Sequence, residues 1–392
     1  MSSEAVIVDV VRTPVGRGKP GGMLSEVHPV DLAAGVMQQL LERTGLESGQ
    51  LDDVLLGCVS QVGEQSMNIA RQAVLAAGFD ETIPATTIDR QCGSSQQAVH
   101  FAVAGIASGA YDIVLAGGVE SMSRVPLGSS LAGVSPMSPR LRARYPDGLV
   151  NQGVSAELIA QKWGLSRDDL DAYAARSHER AADAWHAGFF DRSVVPVDEA
   201  PDARVDETVR AGTTTEKLAG LPASFRTDAL AARFPDLDWR ITPGNSSPLT
   251  DGASAALIMS AERAAQLGLT PRARVVAVDV VGDDPLLMLT GPIPAARRVL
   301  EKAGLAISDM DAYEVNEAFA SVPLAWQQEL DADPARLNPR GGAIALGHAL
   351  GSSGTRLLST LLDHLDDTRG RYGLQTMCEG GGMANALIVE RF

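Results

Sequence analysis

The residues of this sequence with nucleophilic or acid–base chemistry sit at breaks between apolar runs. Cys92 lies in Gln91-Cys92-Gly93-Ser94-Ser95, after a run at Pro84–Asp89 and before a run with helical spacing at Gln96–Ser108. A thiol at the start of a helix is favoured as thiolate by the helix dipole and its free N–H groups. Small neighbours let a substrate approach it; the same placement also suits a buried, inert thiol. His348, in Gly347-His348-Ala349-Leu350-Gly351, can reach a partner across a cleft or remain a turn residue in solvent. Cys378 ends an apolar run before Gly380-Gly381-Gly382, whose N–H groups could donate to a developing oxyanion. A tight turn with a buried thiol explains that stretch equally. Asn316, opening Asn316-Glu317-Ala318-Phe319-Ala320, reads by itself as a helix N-cap. Cys58 has no chemistry nearby and reads as structural, and no group has the spacing of a zinc site.

The elements that must hold these residues are strands and helices in alternation. A chain of 392 residues divides into more than one domain. Apolar residues make up 45% but aromatics only 4%, so the core is built from Ala, Val, Leu and Ile, which let helices pack closely on a sheet. Strands are expected at Ala5–Val11, Asp53–Val59, Pro84–Asp89, Tyr111–Ala116, Ala273–Val281, Ala312–Val315, Leu374–Cys378 and Asn385–Arg391. Helices are expected at Pro29–Thr44, Asn68–Ala77, Gln96–Ser108, Ala156–Ala187, Asp251–Leu267, Ile293–Ala303, Asn316–Leu330 and Ser352–Leu365. The strand runs are continuous rather than alternating, as in sheets covered by helices on both faces. Residues 121–247 are richer in Pro, Ser, Gly and charge, and read as a loop or lid insertion. It separates an N-terminal half, 1–120 with 248–268 returning to it, from a C-terminal half, 269–392. The segment Gly93-Ser94-Ser95, helix, strand, Gly117-Gly118 is echoed by Gly351-Ser352-Ser353-Gly354, helix, strand, Gly380-Gly381-Gly382. Two similar halves facing each other would bring both turns to one pocket.

The formal net charge of -16 disfavours nucleic acid and anionic membranes as partners. A phosphate-bearing ligand stays compatible with it, since a few Arg residues and helix N-termini bind one. No apolar run is long enough to span a membrane. The first residues lack the pattern of a secretory signal, and Val389-Glu390-Arg391-Phe392 is not a peroxisomal address. Three cysteines without a disulfide framework suit a reducing compartment. A cytoplasmic location is the expectation.

Together, and in order, these motifs resemble those of the thiolase family. Asp89-Arg90-Gln91-Cys92-Gly93-Ser94 is similar to its nucleophile motif, and Asn316-Glu317-Ala318-Phe319 to its Asn-Glu-Ala-Phe motif. Asn338-Pro339-Arg340-Gly341-Gly342-Ala343-Ile344-Ala345-Leu346-Gly347-His348 resembles its His motif, and Cys378-Glu379-Gly380-Gly381-Gly382-Met383-Ala384 its C-terminal Cys motif. The resemblance covers essentially the whole chain from Arg12-Thr13-Pro14. It implies an α/β thiolase fold, with two αβαβα-layered halves and an inserted lid. It further implies an acetyl-CoA C-acyltransferase or acetyltransferase that cleaves 3-ketoacyl-CoA with coenzyme A, or runs the reverse Claisen condensation. In that reading Cys92 carries the acyl group, and His348 activates it and helps bind the thioester oxygen. Cys378 moves a proton at the α-carbon, and Asn316 holds a water that completes an oxyanion hole. The N–H groups of Cys92 and Gly380 form a second hole. Arg210, Ser247 and Met288 match segments that contact CoA or the acyl chain, although a solvated Arg, a loop Ser and a core Met are equally compatible with the residues themselves. Coenzyme A is substrate, no tightly bound cofactor or metal is expected, and the family pattern implies a homodimer or homotetramer.

Four departures from the family pattern carry expectations. Ala349 replaces a Pro after the His and would loosen that loop. Asp89 replaces an Asn and would raise the pKa of Cys92. Pro248 replaces a Gly after Ser247, and Gln152-Gly153 replaces a Met-Gly, which bears on the acyl group. A degradative role is the first reading. A biosynthetic enzyme making acetoacetyl-CoA, a non-catalytic CoA-binding protein of the same fold, and a thiol redox or metal protein are the alternatives.

Overall fold

The fold is seen in a computed structural model that describes residues 3–392; Met1 and Ser2, part of the N-terminal half expected above, lie outside them. The first half is built from β1 (Ala5–Arg12), α1 (Pro29–Thr44), β2 (Asp53–Gly57), α2 (Ile69–Ala76), β3 (Ala85–Ile88), α3 (Ser94–Ser108) and β4 (Ile113–Ser121). Then come α4 (Gln152–Lys162) and α5 (Arg167–His186), before β5 (Thr250–Ser260) and α6 (Ala261–Leu267). The last part holds β6 (Ala273–Gly282), α7 (Pro292–Ala303), β7 (Ala312–Val315), α8 (Ser321–Leu330), α9 (Ser353–Thr368), β8 (Tyr372–Glu379) and β9 (Met383–Arg391).

The strands run in the order β3-β2-β4-β5-β1-β6-β9-β8-β7. The two halves of the sheet meet at β1 and β6, which pair only at Val6–Arg274 and Ile7–Ala273. On each side of this seam, a parallel pair (β2 with β4, β7 with β8) is followed by an antiparallel partner (β5, β9). The sequence repeat thus corresponds to α3-β4-β5 against α9-β8-β9. Helix α3 contributes Ala98, Val99, Ala102 and Ile106, and α9 contributes Leu358, Leu361, Leu362 and Leu365, to one core that also takes side chains from both halves of the sheet. A second core lies under α1 and α2, and a third under α7 and α8. The layering is α/β/α/β/α, with α3 and α9 in the middle.

Close backbone approach in that middle layer requires small residues. A Cβ on Gly354 of α9 would clash with Gln96 of α3. Thr355 N–H donates to Ser95 Oγ at 3.1 Å, and Gln375 Nε2 bridges Gln96 Oε1 and Gly354 O at 2.8 and 2.7 Å. Helices α3 and α9 therefore start beside each other, and Cys92 and His348 are delivered to one place.

Three expected elements differ. Asp251–Leu267 was read as one helix, but Thr250–Ser260 is a strand and only Ala261–Leu267 is helical. Every residue of β5 is buried. A strand covered on both faces shows no polar alternation, and its Ala-rich sequence mimics a helix. Ser260 then caps α6, its hydroxyl accepting from Arg263 N–H. Ala156–Ala187 is two helices, parted at left-handed Gly164 and restarted by a capping box of Ser166 and Asp169. Asn316 is not an N-cap: the chain leaves β7 irregularly and α8 begins only at Ser321. No described helix is long and apolar enough to cross a membrane.

The segment between β4 and β5 is tied to the first half by Arg12, whose guanidinium is buried against Asp206 at 2.6 Å and stands over the ring of Phe190 at 4.9 Å. Leaving either charge alone in such a place costs about 3–5 kcal/mol. Helix α5 also packs on Ala343–Leu346, just ahead of His348.

Candidate active site

The nucleophile loop joins β3 to α3. Gln91 takes a left-handed φ of 49°, strained for a residue with a side chain. Local hydrogen bonds hold it there: Asp89 Oδ1 accepts from Gln91 N–H at 2.8 Å, and Ser94 Oγ donates to Gln91 O at 2.6 Å and accepts from Arg90 N–H at 2.9 Å. Cys92 follows, buried among Met122, Leu350, Leu357 and Met377. Leu350 belongs to the His348 loop and Leu357 to α9, so Cys92 packs against the part of the second half that carries His348.

The expected lowering of the Cys92 pKa is not found. Burial pushes the thiol well above its ordinary range, and Cys378, then Glu379 and Glu120, push it further. Asp89 is not among these leading charges; its carboxylate serves the Gln91 turn and raises Glu379 instead.

His348 is fixed from both sides. Its N–H donates to Thr250 Oγ1 at 2.9 Å. Upstream, Glu317 accepts from Ile344 N–H at 3.0 Å; downstream, Glu120 accepts from Gly351 N–H at 3.0 Å. Glu317 also accepts from Tyr173 and Ser177 of α5 and from Asn338, while Glu120 accepts from Val59 N–H, Ser60 N–H and Gln65. Ala349, expected to loosen the loop, keeps a φ of -71°, the value a Pro would impose.

The histidine tautomer follows from Ser353. Its hydroxyl donates to Ala349 O at 2.7 Å, since a carbonyl can only accept. The same oxygen lies 2.7 Å from His348 Nδ1 and must accept from it. Nδ1 therefore carries the proton and Nε2 a lone pair. Burial, and next Arg356, lower the His348 pKa to about 3, so the ring is neutral at neutral pH. A neutral thiol and a neutral imidazole with a lone pair on Nε2 are the protonation states from which general-base activation starts. Replacing Ser353 with Ala frees the tautomer, and kcat is expected to fall by about 10- to 100-fold with little change in the KM for CoA, as measured by steady-state kinetics. An unchanged kcat would show that Ser353 does not orient the ring.

Asn316 Nδ2 lies 3.4 Å from His348 Nε2. Asn316 also acts on Cys378, whose pKa burial raises to about 12 against the lowering effect of Asn316. Gly380 closes the arrangement, because a Cβ there would stand 3.0 Å from Gln91 Oε1. Neither Cys92 N–H nor Gly380 N–H donates to a backbone carbonyl among the described residues. Cys92, His348, Asn316, Cys378 and Gly380 thus come together from opposite halves of the sequence.

The residues matched to CoA contacts divide. Arg210 lines a cleft with Ser246, Pro248, Thr208, His178 and Ile344. Ser247 turns its hydroxyl to Ala318 O at 3.1 Å, holding the Asn316–Phe319 stretch instead of lining that cleft. Met288 has a left-handed φ of 52° and packs half-buried on the third core. Gly153 makes room for the ring of Phe225, which stands edge-on to Phe319 at 5.9 Å. Among the described residues no His, Cys, Asp and Glu cluster could hold a metal ion, and Cys58, Cys92 and Cys378 are all free thiols.

Sequence reasoning missed Ser353, Thr250, Glu120 and the anchoring role of Glu317. Ser353, five residues after His348 in a Gly-Ser-Ser-Gly run, was open to detection as a partner on the first turn of a helix. Thr250 and Glu120 act on His348 from distant strands, and no local pattern marks them.

Comparison with known proteins finds relatives over nearly the whole chain. The family model for the thiolase N-terminal domain matches residues 5–262, and that for the thiolase C-terminal domain matches residues 269–391. The chain is 47% identical to a steroid 3-ketoacyl-CoA thiolase of Mycobacterium tuberculosis, over 99% of this chain and 94% of that protein. It is 43% identical to a 3-oxoadipyl-CoA/3-oxo-5,6-dehydrosuberyl-CoA thiolase of Escherichia coli, over 99% of both. An acetyl-CoA acetyltransferase of Bacillus anthracis superimposes with a TM-score of 0.88 at 37% identity, covering 100% of this chain and 99% of that one.

Proposed function

The chain belongs to the thiolase family, and on that premise we propose how its residues perform the reaction. The activity is CoA-dependent thiolytic cleavage of 3-ketoacyl-CoA, with coenzyme A as substrate. The observation that carries the assignment of roles is Asn316, whose amide lies 3.4 Å from His348 Nε2 and whose side chain lowers the Cys378 pKa.

Cys92 Sγ attacks the 3-keto carbon and passes its proton to His348 Nε2. The alkoxide is held by Cys92 N–H and Gly380 N–H. As it collapses, the C2–C3 bond breaks, the acyl group stays on Cys92, and the enolate of acetyl-CoA takes a proton from Cys378. Asn316, through a bound water, and the protonated His348 stabilise that enolate oxygen. Coenzyme A then gives its thiol proton to Cys378 and attacks the thioester. Cys92 leaves as thiolate and recovers its proton from His348. Each oxyanion donor of this type contributes about 10²–10³ in rate.

Arg210 is assigned to the CoA phosphates, with Pro248 and Ser246 beside it and Ser247 positioning the loop; residues 121–247 form the cover over CoA. Gln152 stands in place of a Met, and Gly153 beside it makes room for Phe225, edge-on to Phe319; we assign this patch to the acyl chain, which favours acyl groups beyond acetyl. We assign a degradative direction, in keeping with the names of the curated relatives. The solved structure named as an acetyl-CoA acetyltransferase keeps the biosynthetic direction as the second reading. Three free thiols suit a cytoplasmic location.

A homodimer is part of the same proposal. Strand β3 ends the sheet, and Met67, next to the Asn68 whose amide donates to Ala85 O of that strand at 2.9 Å, is 88% exposed. Sedimentation at micromolar concentration reads this directly, and a monomer would contradict it.

Thiolysis of 3-ketoacyl-CoA esters from four-carbon to long, branched and ring-bearing chains tests the substrate assignment. Higher kcat/KM for the larger acyl groups is expected. Preference for acetoacetyl-CoA would overturn the degradative reading in favour of the biosynthetic one.

A further inference from the structure

Glu379 lies next to Cys378 in sequence, is fully buried, and has no hydrogen-bond partner on either carboxyl oxygen. The carboxylates of Glu120 and Glu317 are as deeply buried and are fully bonded. An unpartnered buried carboxyl costs stability, and one retained beside reacting groups points to a functional load. Alternation along β8 puts Glu379 on the face opposite Cys378. There it meets the nucleophile loop: a Cβ on Gly93 would collide with its Oε1, while Asn385 Nδ2 holds Gly93 O at 3.0 Å. Gly93 is the N-cap of α3, and no side chain caps that helix. The thiolate of Cys92 would draw on the same helix start.

We propose that Glu379 and Cys92 compete for one negative charge at the start of α3, so that Glu379, once ionised, opposes formation of the Cys92 thiolate. The proposal rests on the reading of Cys92 as nucleophile. Glu379 acts through Cys92 and is a positioning residue, not a catalytic one.

The charged surroundings agree. Glu379 is raised to about 8 by burial, with Arg90 opposing and Asp89 adding to the rise. Cys92 is faced by Cys378, Glu379 and Glu120, with His348 neutral. As pH rises through about 8, Glu379 ionises and resists the thiolate. The two groups then lose their protons in spread, anticooperative steps. Above that pH the charge on Glu379 restrains reaction of Cys92 with adventitious electrophiles.

The test is the rate of Cys92 alkylation by iodoacetamide across the pH range on the full chain. Mass spectrometry of the Cys92 peptide excludes signal from Cys58 and Cys378. Glu379→Gln is expected to shift the midpoint down by about one pH unit or more, to steepen the curve to one proton, and to raise the alkaline rate about 10-fold. Glu379→Met should shift it the same way. An unchanged or raised midpoint would overturn the proposal. So would failure of both variants to fold, since the carboxyl would then be a structural group. Turnover that survives in Cys92→Ala would instead remove the nucleophile assignment, and the alkylation curves would still report on Glu379.

Discussion

Cys92→Ala is expected to lower thiolysis by at least about 10⁴-fold, with binding of CoA thioesters retained. Removing a covalent nucleophile from a preorganised site typically costs more than a million-fold in comparable enzymes, and background water attack sets the floor. The side chain is buried and touches Met122, Leu350, Leu357 and Met377, so the truncation removes one sulfur from a packed cluster without disturbing the hydrogen bonds of Asp89 and Ser94 that shape the loop. The fold should therefore survive, and thermal unfolding with CoA-thioester titration checks that it does. Substantial activity in the folded variant would mean that the acyl group is carried elsewhere or not at all.

Cys378→Ala is expected to separate the two halves of the chemistry. Cleavage of the C2–C3 bond needs a proton donor at the leaving carbon, and loss of a positioned acid costs about 10²–10⁴-fold. Cys92 keeps its base, because His348 holds its tautomer through Ser353 and not through Cys378. Acylation of Cys92 by a simple acyl-CoA also uses Cys378, to protonate the departing CoA, but a thiolate can leave unprotonated and take its proton from solvent. The variant should therefore still take up the acyl group, more slowly, while turning over 3-ketoacyl-CoA hardly at all; a loss of acylation as large as that of carbon–carbon cleavage would show that Cys378 supports the nucleophile instead of moving the carbon-bound proton.

The active site was legible because each group stands at a break between elements, and breaks are marked by Gly and small polar residues. Gly93, Gly347, Gly351 and the Gly380–Gly382 run announce close backbone approach, and the structure places each at such an approach or turn. The charge state of Cys92 was not legible. A helix start favours the thiolate, but the depth of burial and the neighbouring Cys378, Glu379 and Glu120 outweigh it, and these come from strands far away in sequence. Strand β5 was misread for a related reason: its burial on both faces erases the polar alternation that marks a strand. Asn316 looked like an N-cap because Asn after a strand usually is one. Its amide instead faces His348 Nε2, and the helix waits until Ser321. The role of Ser247 shifted on a single rotamer, which carries its hydroxyl to Ala318 O and away from the cleft that Arg210 lines.

The covalent intermediate is the most direct test. A 3-ketoacyl-CoA mixed with the protein in the absence of free coenzyme A, quenched in acid and digested, should yield the peptide containing Cys92 heavier by the shortened acyl group, with one acetyl-CoA released per acylated chain. That adduct should vanish when coenzyme A is added before the quench. An acyl group found on Cys378 or Cys58, or turnover with no adduct on Cys92, would contradict the account.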